Sequence, residues 1–484
     1  MIIPPPPEII PAEKLGHVHF VGIGGAGLSG IARIMLARGM TVSGSDVKDS
    51  PTLTALRALG ATVYVGHDPS HLDGVDTVVV STAIKENNPE VVEARRRGLL
   101  LYSRASALSA VMDGRRVAAV SGAHGKTTTS SMLAVALQHC GADPSFAIGG
   151  NFNDTGTNAH DGTGDIFVVE ADESDRAFLQ YSPEVAVITN VDPDHLDMYE
   201  SREDYHRAFD AFADRIVPGG FLVACIDDPG ARRVAEAARA RGIDVRTYGE
   251  SPEADVRVDN VQLHPLSSTF DLVVDGRRVG SVDVHVAGRH YTLNAAAAFT
   301  AGLGLGFPSA QLREGLSSYT GTRRRFEYKG SAGDIRVYDD YGHHPTEMVA
   351  TLRAARSAAG DGRVVVCFRP LRHTRTKFFH KELGEALGLA DEVVVMDPTG
   401  DDPIPGVTGA LIVPHIPLPA ERIVYERSWS AAPVRVAERV RPGDLVLTLG
   451  APDVALIGPE VLELVGGRDD ADAGAGDNDQ DIRG

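Results

Sequence analysis

The chain has 484 residues, 43% of them hydrophobic, and a formal net charge of -19 at pH 7. That length holds about three ordinary domains, and the acidic balance excludes nucleic acid or an anionic membrane as the main partner while allowing small anionic substrates. Three widely spaced cysteines, Cys140, Cys225 and Cys367, exclude a disulfide framework and a zinc site of Cys-x-x-Cys type, and fit a reducing cytoplasm.

The N-terminus, Met1 to Pro7, has neither the basic start nor the apolar stretch of a secretory signal. Its proline run predicts a stiff extended leader. No apolar run reaches bilayer length, so a soluble protein without stable membrane association is expected. The strand-like run His17–Val21 then enters Gly22-Ile23-Gly24-Gly25-Ala26-Gly27-Leu28-Ser29-Gly30 and a helical pattern. This is a GxGxxG turn, and Asp46 ends the next strand-like run where a dinucleotide fold places its ribose acid. Read alone it says NAD oxidoreductase. A glycine turn at a helix N-terminus receives any pyrophosphate, however, and a UDP-sugar carries one as surely as NAD does.

Further on, the run Val117–Val120 leads into Ser121-Gly122-Ala123-His124-Gly125-Lys126-Thr127-Thr128-Thr129. Such a loop aims backbone N–H groups at phosphate, with a lysine charge and a hydroxyl able to hold Mg²⁺. Its spacing is irregular, since Val120 stands where the usual loop begins with glycine. Ile166–Val169 ends in Glu170-Ala171-Asp172-Glu173-Ser174-Asp175, and Val185–Thr189 in Asn190-Val191-Asp192-Pro193-Asp194-His195-Leu196-Asp197. Both acidic clusters lie beyond strand ends, where open α/β sheets bind ligands. Hydride transfer has no use for them. Oxygen donors suit Mg²⁺, and His195 suits a second metal site.

Alternating residues over Asp255–Val286 predict a small antiparallel sheet inside the second domain. His290 and Asn294 follow, one turn apart on a helix that begins near Gly288. Arg323-Arg324-Arg325-Phe326 leads to Val364–Phe368, another buried-strand run, and to two turn-rich clusters, Asp339–Thr346 and Phe368–Thr376. Short apolar runs alternating with helical patterns give an α/β class with parallel sheets. Domains are expected over residues 1–114, 115–327 and 328–466, with a disordered acidic tail over 467–484.

Together these motifs, in order from about Lys14 to about Asp453, resemble the Mur ligase family, the ATP-dependent amide-bond formers of peptidoglycan synthesis. The resemblance implies three domains: a Rossmann-like UDP-binding domain, a central P-loop ATPase domain and a Rossmann-like C-terminal domain that binds the amino acid. It implies ATP, UDP-N-acetylmuramate and L-alanine as substrates, an acyl-phosphate intermediate, and one or two Mg²⁺ ions for which Mn²⁺ can substitute. The UDP-sugar site would comprise Gly22, Gly24, Gly25, Ala26, Gly27, Ser29, Gly30, Asp46, His67, Ser81, Thr82 and Ala83. ATP would meet Gly122, His124, Gly125, Lys126, Thr127, Thr128, His290, Asn294, Arg325 and Asp340. The implied catalytic set is Lys126, Glu170, His195 and Arg325. Metal would be held by Thr127, His195 and either Glu170 or Glu173, Glu170 being preferred because it directly follows its strand. Tyr341, His343, Arg372 and Arg375 would shape the amino-acid site. Phe209-Asp210 stand where other family members carry a carbamylated lysine, so no carbamate is expected. A monomer or weak homodimer in the cytoplasm completes the expectation. A ligase that recycles a tripeptide onto the same sugar is the alternative within the chemistry; a non-catalytic nucleotide-sugar regulator or the oxidoreductase is the alternative outside it.

Overall fold

The computed structural model of the protein describes residues 3–4, 6, 8–194 and 198–475. It has three sheets. The first is built from β1 (Val18–Val21), β2 (Val42–Asp46), β3 (Thr62–Val65), β4 (Thr77–Val80) and β5 (Leu100–Ser103), all parallel in the order β3-β2-β1-β4-β5. β1 and β4 are buried at every position, which is why they are largely apolar, with only His19 and Thr77 polar, rather than alternating.

The central sheet comprises β6 (Arg116–Ser121), β7 (Ser145–Ala147), β8 (Ala159–His160), β9 (Ile166–Glu170), β10 (Val185–Ile188), β11 (Phe221–Cys225), β12 (Asp244–Gly249), β13 (Val256–Leu263), β14 (Ser268–Val274) and β15 (Arg277–Val284). Their order is β15-β14-β13-β12-β11-β10-β6-β9-β7-β8. The three strands expected as a small sheet of their own therefore extend the central one, β13 pairing in parallel with β12. β7 and β8 add an antiparallel pair at the other edge.

The third sheet has β16 (Glu327–Ala332), β17 (Ile335–Asp340), β18 (Val364–Arg369), β19 (Glu392–Val395), β20 (Ile423–Tyr425) and β21 (Leu445–Gly450), in the order β16-β17-β21-β18-β19-β20. The class is α/β, as expected. β16 pairs with β17 from Glu327 onward, so the third sheet starts one residue before the boundary expected after 327. The last helix, Ile457–Ala475, runs nine residues into the segment expected to lack structure; 476–484 lie outside the described residues.

Packing divides the chain into two compact units, Met1–Asp259 with Asp271–Val282 and Leu293–Tyr319, and Asn260–Phe270 with Asp283–Thr292 and Thr320–Gly484. In the first unit one apolar cluster runs from Phe20, Ile31 and Met35 through Leu108 and Val111 to Phe167, Ile188 and Phe212. Each large buried side chain contributes about 1.5–3 kcal/mol of transfer free energy, so this shared core locks the first and central sheets together. The second unit has a separate core that includes Val337, Val365, Val446 and Val461.

Candidate active site

Strand order and register assemble the site. In the first sheet the chain order reverses between β1 and β4, and a crevice opens beyond their carboxyl ends. The turn after β1 is the Gly22–Gly25 segment, and Ser81 and Thr82 follow β4. In the central sheet β6 lies between β9 and β10, with Val120 opposite Glu170 and Ser121 opposite Ile188. The Gly122–Gly125 loop, Glu170 and Thr189-Asn190 consequently leave adjacent strands at the same level.

The P-loop is clamped by its neighbour. His124 N donates to Asn190 Oδ1 and Asn190 Nδ2 donates to His124 O, both at 2.9 Å, while Thr189 Oγ1 donates to the same carbonyl at 2.6 Å. His124 Nε2 lies 3.1 Å from Asp192 Oδ2. Thr127 and Thr128 open the helix Lys126–His139 and are both buried. Lys126 Nζ donates to Gly122 O at 2.7 Å, to Ala123 O at 3.2 Å and to Glu173 Oε2 at 2.8 Å. Burial opposes the lysine charge, but Glu173, Asp172 and Glu170 outweigh it and raise the lysine above its ordinary range. The same burial pushes Glu173 up to about 7 despite Lys126. Glu173 Oε1 is buried with no hydrogen-bond partner, an orphaned oxygen beside a phosphate loop. Glu170 accepts from Gly149 N at 2.8 Å. Asn294 belongs to this site through the loop rather than through a free face: a Cβ on Gly125 would lie 2.6 Å from its Oδ1. His195 lies outside the described residues, as does Asp197.

The glycine turn after β1 faces the same region. A cavity of about 380 Å³ is lined on one side by Gly25, Ala26, Gly27, Leu28, Gly30, Ser81 and Thr82, and on the other by Gly149, Asn158, Glu170, Asp172, Ser174 and Asp175, with Arg104 among the linings. Two residues expected at this site also bond within the protein. Asp46 Oδ2 accepts from Gly24 N at 2.9 Å and its Oδ1 from Val47 N at 2.8 Å, so this carboxylate shapes the turn. Ser29 Oγ donates to Ala26 O within its own helix.

His67 joins a buried network. Its Nδ1 lies 2.9 Å from Ser45 Oγ and 3.1 Å from Glu90 Oε2, and His71 Nδ1 is 2.7 Å from Glu90 Oε1. Burial alone would raise Glu90, but hydrogen bonds from His19, Ser45 and His71 bring it down to about 2. Burial also lowers His19 below its ordinary value. Both folded values lie below the unfolded ones, so the stabilisation is present at neutral pH and is lost as pH falls through them. Unfolding by urea between pH 7 and 3 is expected to show a falling midpoint, and Glu90→Gln should remove about 2 kcal/mol of that dependence by pH 3. An unchanged pH slope in the variant would assign the acid sensitivity to other groups.

The second unit carries the remaining expected residues. β21 lies between β17 and β18, with Asp340 opposite Leu449 and Arg369 opposite Gly450, so the Tyr341–His344 turn and the Arg369–Arg375 segment flank one strand end. Asp340 holds its own turn, Oδ2 accepting from Phe326 N at 2.8 Å and Oδ1 from Gly342 N at 2.7 Å. Burial lifts this carboxyl to about 6 against the opposing charge of Arg325. Tyr341 gathers Arg324 and Arg325 over its ring, 4.9 and 5.4 Å from the centroid, and His343 meets it edge-on. Burial, with Arg325 nearby, brings His290 down to about 4, so its ring is neutral at physiological pH. Arg372 is the N-cap of the helix His373–Leu387, with φ +70 and its Nε 3.7 Å from Asp402 Oδ2, and Arg375 is buried one turn later.

The matches to known proteins agree with this geometry. Residues 17–116 match the Mur ligase family catalytic domain, 120–302 the Mur ligase middle domain, and 324–452 the Mur ligase glutamate ligase domain. The chain belongs to the Mur ligase family. It is 54% identical over 461 residues to the UDP-N-acetylmuramate--L-alanine ligase of Acidothermus cellulolyticus, covering 95% of this chain and 97% of that one. To the enzyme of that name from Nocardioides sp. it is 55% identical over 472 residues, covering 96% and 100%. Among solved structures it resembles UDP-N-acetylmuramate-alanine ligase MurC of Thermotoga maritima, with a TM-score of 0.77, 26% identity and coverage of 94% and 99%. Membership of a family of ATP-dependent ligases accounts for the P-loop. It also removes the oxidoreductase reading of the first glycine turn. Among the described residues no helix is long and apolar enough to cross a membrane.

Sequence reasoning missed Arg104, Asn158 and the clamp made by Thr189 and Asn190. For Arg104 the signal was Ser103, whose side chain caps the helix Arg104–Met112 directly after β5 and so fixes the arginine at a strand end.

Proposed function

We propose that the protein joins L-alanine to the carboxylate of UDP-N-acetylmuramate at the expense of ATP, through an acyl phosphate, in peptidoglycan precursor synthesis. One observation carries the reading: the cavity that begins at the Gly25–Gly30 turn ends at Glu170, the strand neighbour of the P-loop. A sugar nucleotide held there by its diphosphate extends its carboxylate toward the phosphoryl-transfer centre. Relatives that share more than half their residues with this chain carry the L-alanine name, which favours alanine over a tripeptide.

In this reading Lys126 leaves Glu173 to meet the β- and γ-phosphates. A carboxylate oxygen attacks the γ-phosphorus as the bond to ADP breaks; the alanine amine then attacks the acyl carbon and phosphate departs. Thr127 with Glu170 or Glu173 offers the oxygen donors Mg²⁺ prefers, and the orphaned Glu173 Oε1 fits such a role. Bound Mg²⁺, for which Mn²⁺ can substitute, offsets charge on the transferring phosphoryl group. His195 would serve a second ion. Arg325, His290 and Asp340 would contact ATP, and Tyr341, His343, Arg372 and Arg375 the amino acid. Domain limits near Gly114 and Tyr328, a cytoplasmic location and a monomer or weak homodimer belong to the same proposal.

Phosphate release from ATP, measured with UDP-N-acetylmuramate and each of L-alanine, glycine, L-serine and tripeptide, tests it. L-Alanine should give the highest kcat/KM, glycine falling below it by about 10–200-fold for the lost methyl contact. A higher value with tripeptide would replace this reading by the recycling ligase. No nucleotide turnover with any of them would favour a regulator.

A further inference from the structure

The cavity that carries the proposed function has one cation among its lining residues, Arg104, against the carboxylates of Glu170, Asp172 and Asp175. Its guanidinium pairs with Asp172 Oδ2 at 3.8 Å, and among the described residues it donates no hydrogen bond. The side chain is 23% exposed and lines the cavity. Its stem lies against the opposite wall: a Cβ on Gly27 would come 2.8 Å from Arg104 Cδ. Gly27 is in the first turn of the helix Ala26–Ala37, whose N-cap Gly25 supplies no side-chain cap. The first turn lines the cavity, its N–H groups carry only partial positive charge, and the turn itself holds no lysine or arginine. A guanidinium five donors wide, long-stemmed and lightly paired to an acid is the group that best completes an oxyanion site beside such a turn.

We propose that Arg104 is a substrate-binding residue that clamps the diphosphate of the UDP-sugar onto the Gly25–Gly27 turn, leaving Asp172 when the ligand enters. The inference rests on the ligase reading, since it takes the sugar nucleotide from there. It adds a cation from a second strand end, β5, to a site for which the sequence named no lysine or arginine. It also explains how a polyanion tolerates a wall of three carboxylates, because the ligand's charge replaces Asp172 as the partner of the guanidinium.

The test is calorimetric titration of the full chain with UMP, UDP, UDP-N-acetylglucosamine and UDP-N-acetylmuramate, for wild type, Arg104→Ala, Arg104→Lys and Gly27→Ala. Loss of a bidentate charged hydrogen-bond pair is worth about a tenfold to hundredfold fall in affinity. Arg104→Ala should show that fall for UDP and for both UDP-sugars alike, and a clearly smaller one for UMP. Arg104→Lys should recover part of it, charge being kept and the fork lost. Gly27→Ala, whose methyl displaces the arginine stem from a helix that accepts alanine readily, should repeat the pattern even if Arg104→Ala does not fold. KM for the sugar should rise with that for ATP unchanged. A loss confined to UDP-N-acetylmuramate would assign Arg104 to the carboxylate and overturn the proposal; so would an equal loss with UMP, or none. If wild type bound neither UDP nor UDP-N-acetylmuramate the ligase reading itself would fall, whereas normal wild-type turnover with an unaltered Arg104→Ala sinks this inference alone.

Discussion

Lys126→Ala is expected to abolish amide formation, lowering kcat by about a thousandfold or more, while UDP-N-acetylmuramate binds within a few fold of wild type. The magnitude follows from removing a preorganised positive charge from a phosphoryl-transfer site, where a single stabilising donor is worth about 10²–10³. The separation of the two effects follows from position. Lys126 reaches the loop carbonyls of Gly122 and Ala123 and the carboxylate of Glu173, whereas the glycine turn lies across the cavity on the first sheet. The variant also leaves Glu173 buried without its cation, so part of any loss of stability belongs to that carboxylate. Because burial already holds Glu173 near 7, it can meet the missing charge by staying protonated, and the stability deficit should grow as pH rises through 7. Phosphate release and sugar-nucleotide titration on one preparation, with urea unfolding at pH 6 and 8, separate these contributions. Normal turnover in this variant would remove the P-loop from the mechanism.

What could be read from the sequence depended on whether a residue's environment is set by its own strand or by a distant one. β1, β6, β9, β10 and β18 announced themselves because both faces of a parallel strand are buried, which favours largely apolar runs. Motifs at their ends were legible for the same reason. The edge strands were harder. β13 to β15 alternate in sequence and read as a small antiparallel sheet, but alternation reports a half-exposed face, as at the start of β13 and the end of β15, not which sheet the strand joins.

Side-chain roles were less legible. Asp46 was placed at the nucleotide from its position at a strand end and Asp340 from the family resemblance, and in the structure Asp46 accepts from the main-chain N–H groups of Gly24 and Val47, Asp340 from those of Phe326 and Gly342. A short acid at a strand end can satisfy its own loop as readily as a ribose, and spacing cannot distinguish the two. Arg104 was passed over because its one local mark, the Ser103 cap, fixes its place at a strand end but not what it faces. Its significance arises only when β5 and the turn after β1 are brought to one cavity.

Gly122→Ala should damage fold and turnover together, more than its small size implies. Gly122 has φ +131, and a Cβ there would lie 2.1 Å from Thr189 Oγ1 and 3.0 Å from both N and O of Asn190. The conformation alone costs a non-glycine residue about 1–2 kcal/mol, and forcing atoms into a packed contact adds about 1–3 kcal/mol. The displaced hydroxyl is the one that donates to His124 O, and the displaced backbone belongs to the asparagine that brackets His124 from both sides. The loop that must present its N–H groups to phosphate would thus lose its clamp. The sum is about 3 kcal/mol or more of stability by urea unfolding, with ATP KM raised at least tenfold. Gly66→Ala supplies the contrast: its φ is +90 but nothing lies within 4 Å of the added carbon, so it should cost only the backbone strain of about 1–2 kcal/mol and leave ATP KM alone. Thr189→Ala in the Gly122→Ala background removes the nearest obstacle, and the double variant should regain part of the stability, a coupling that independent sites would not show. Equal losses in Gly122→Ala and Gly66→Ala would mean that conformation, not the Thr189 contact, decides the matter.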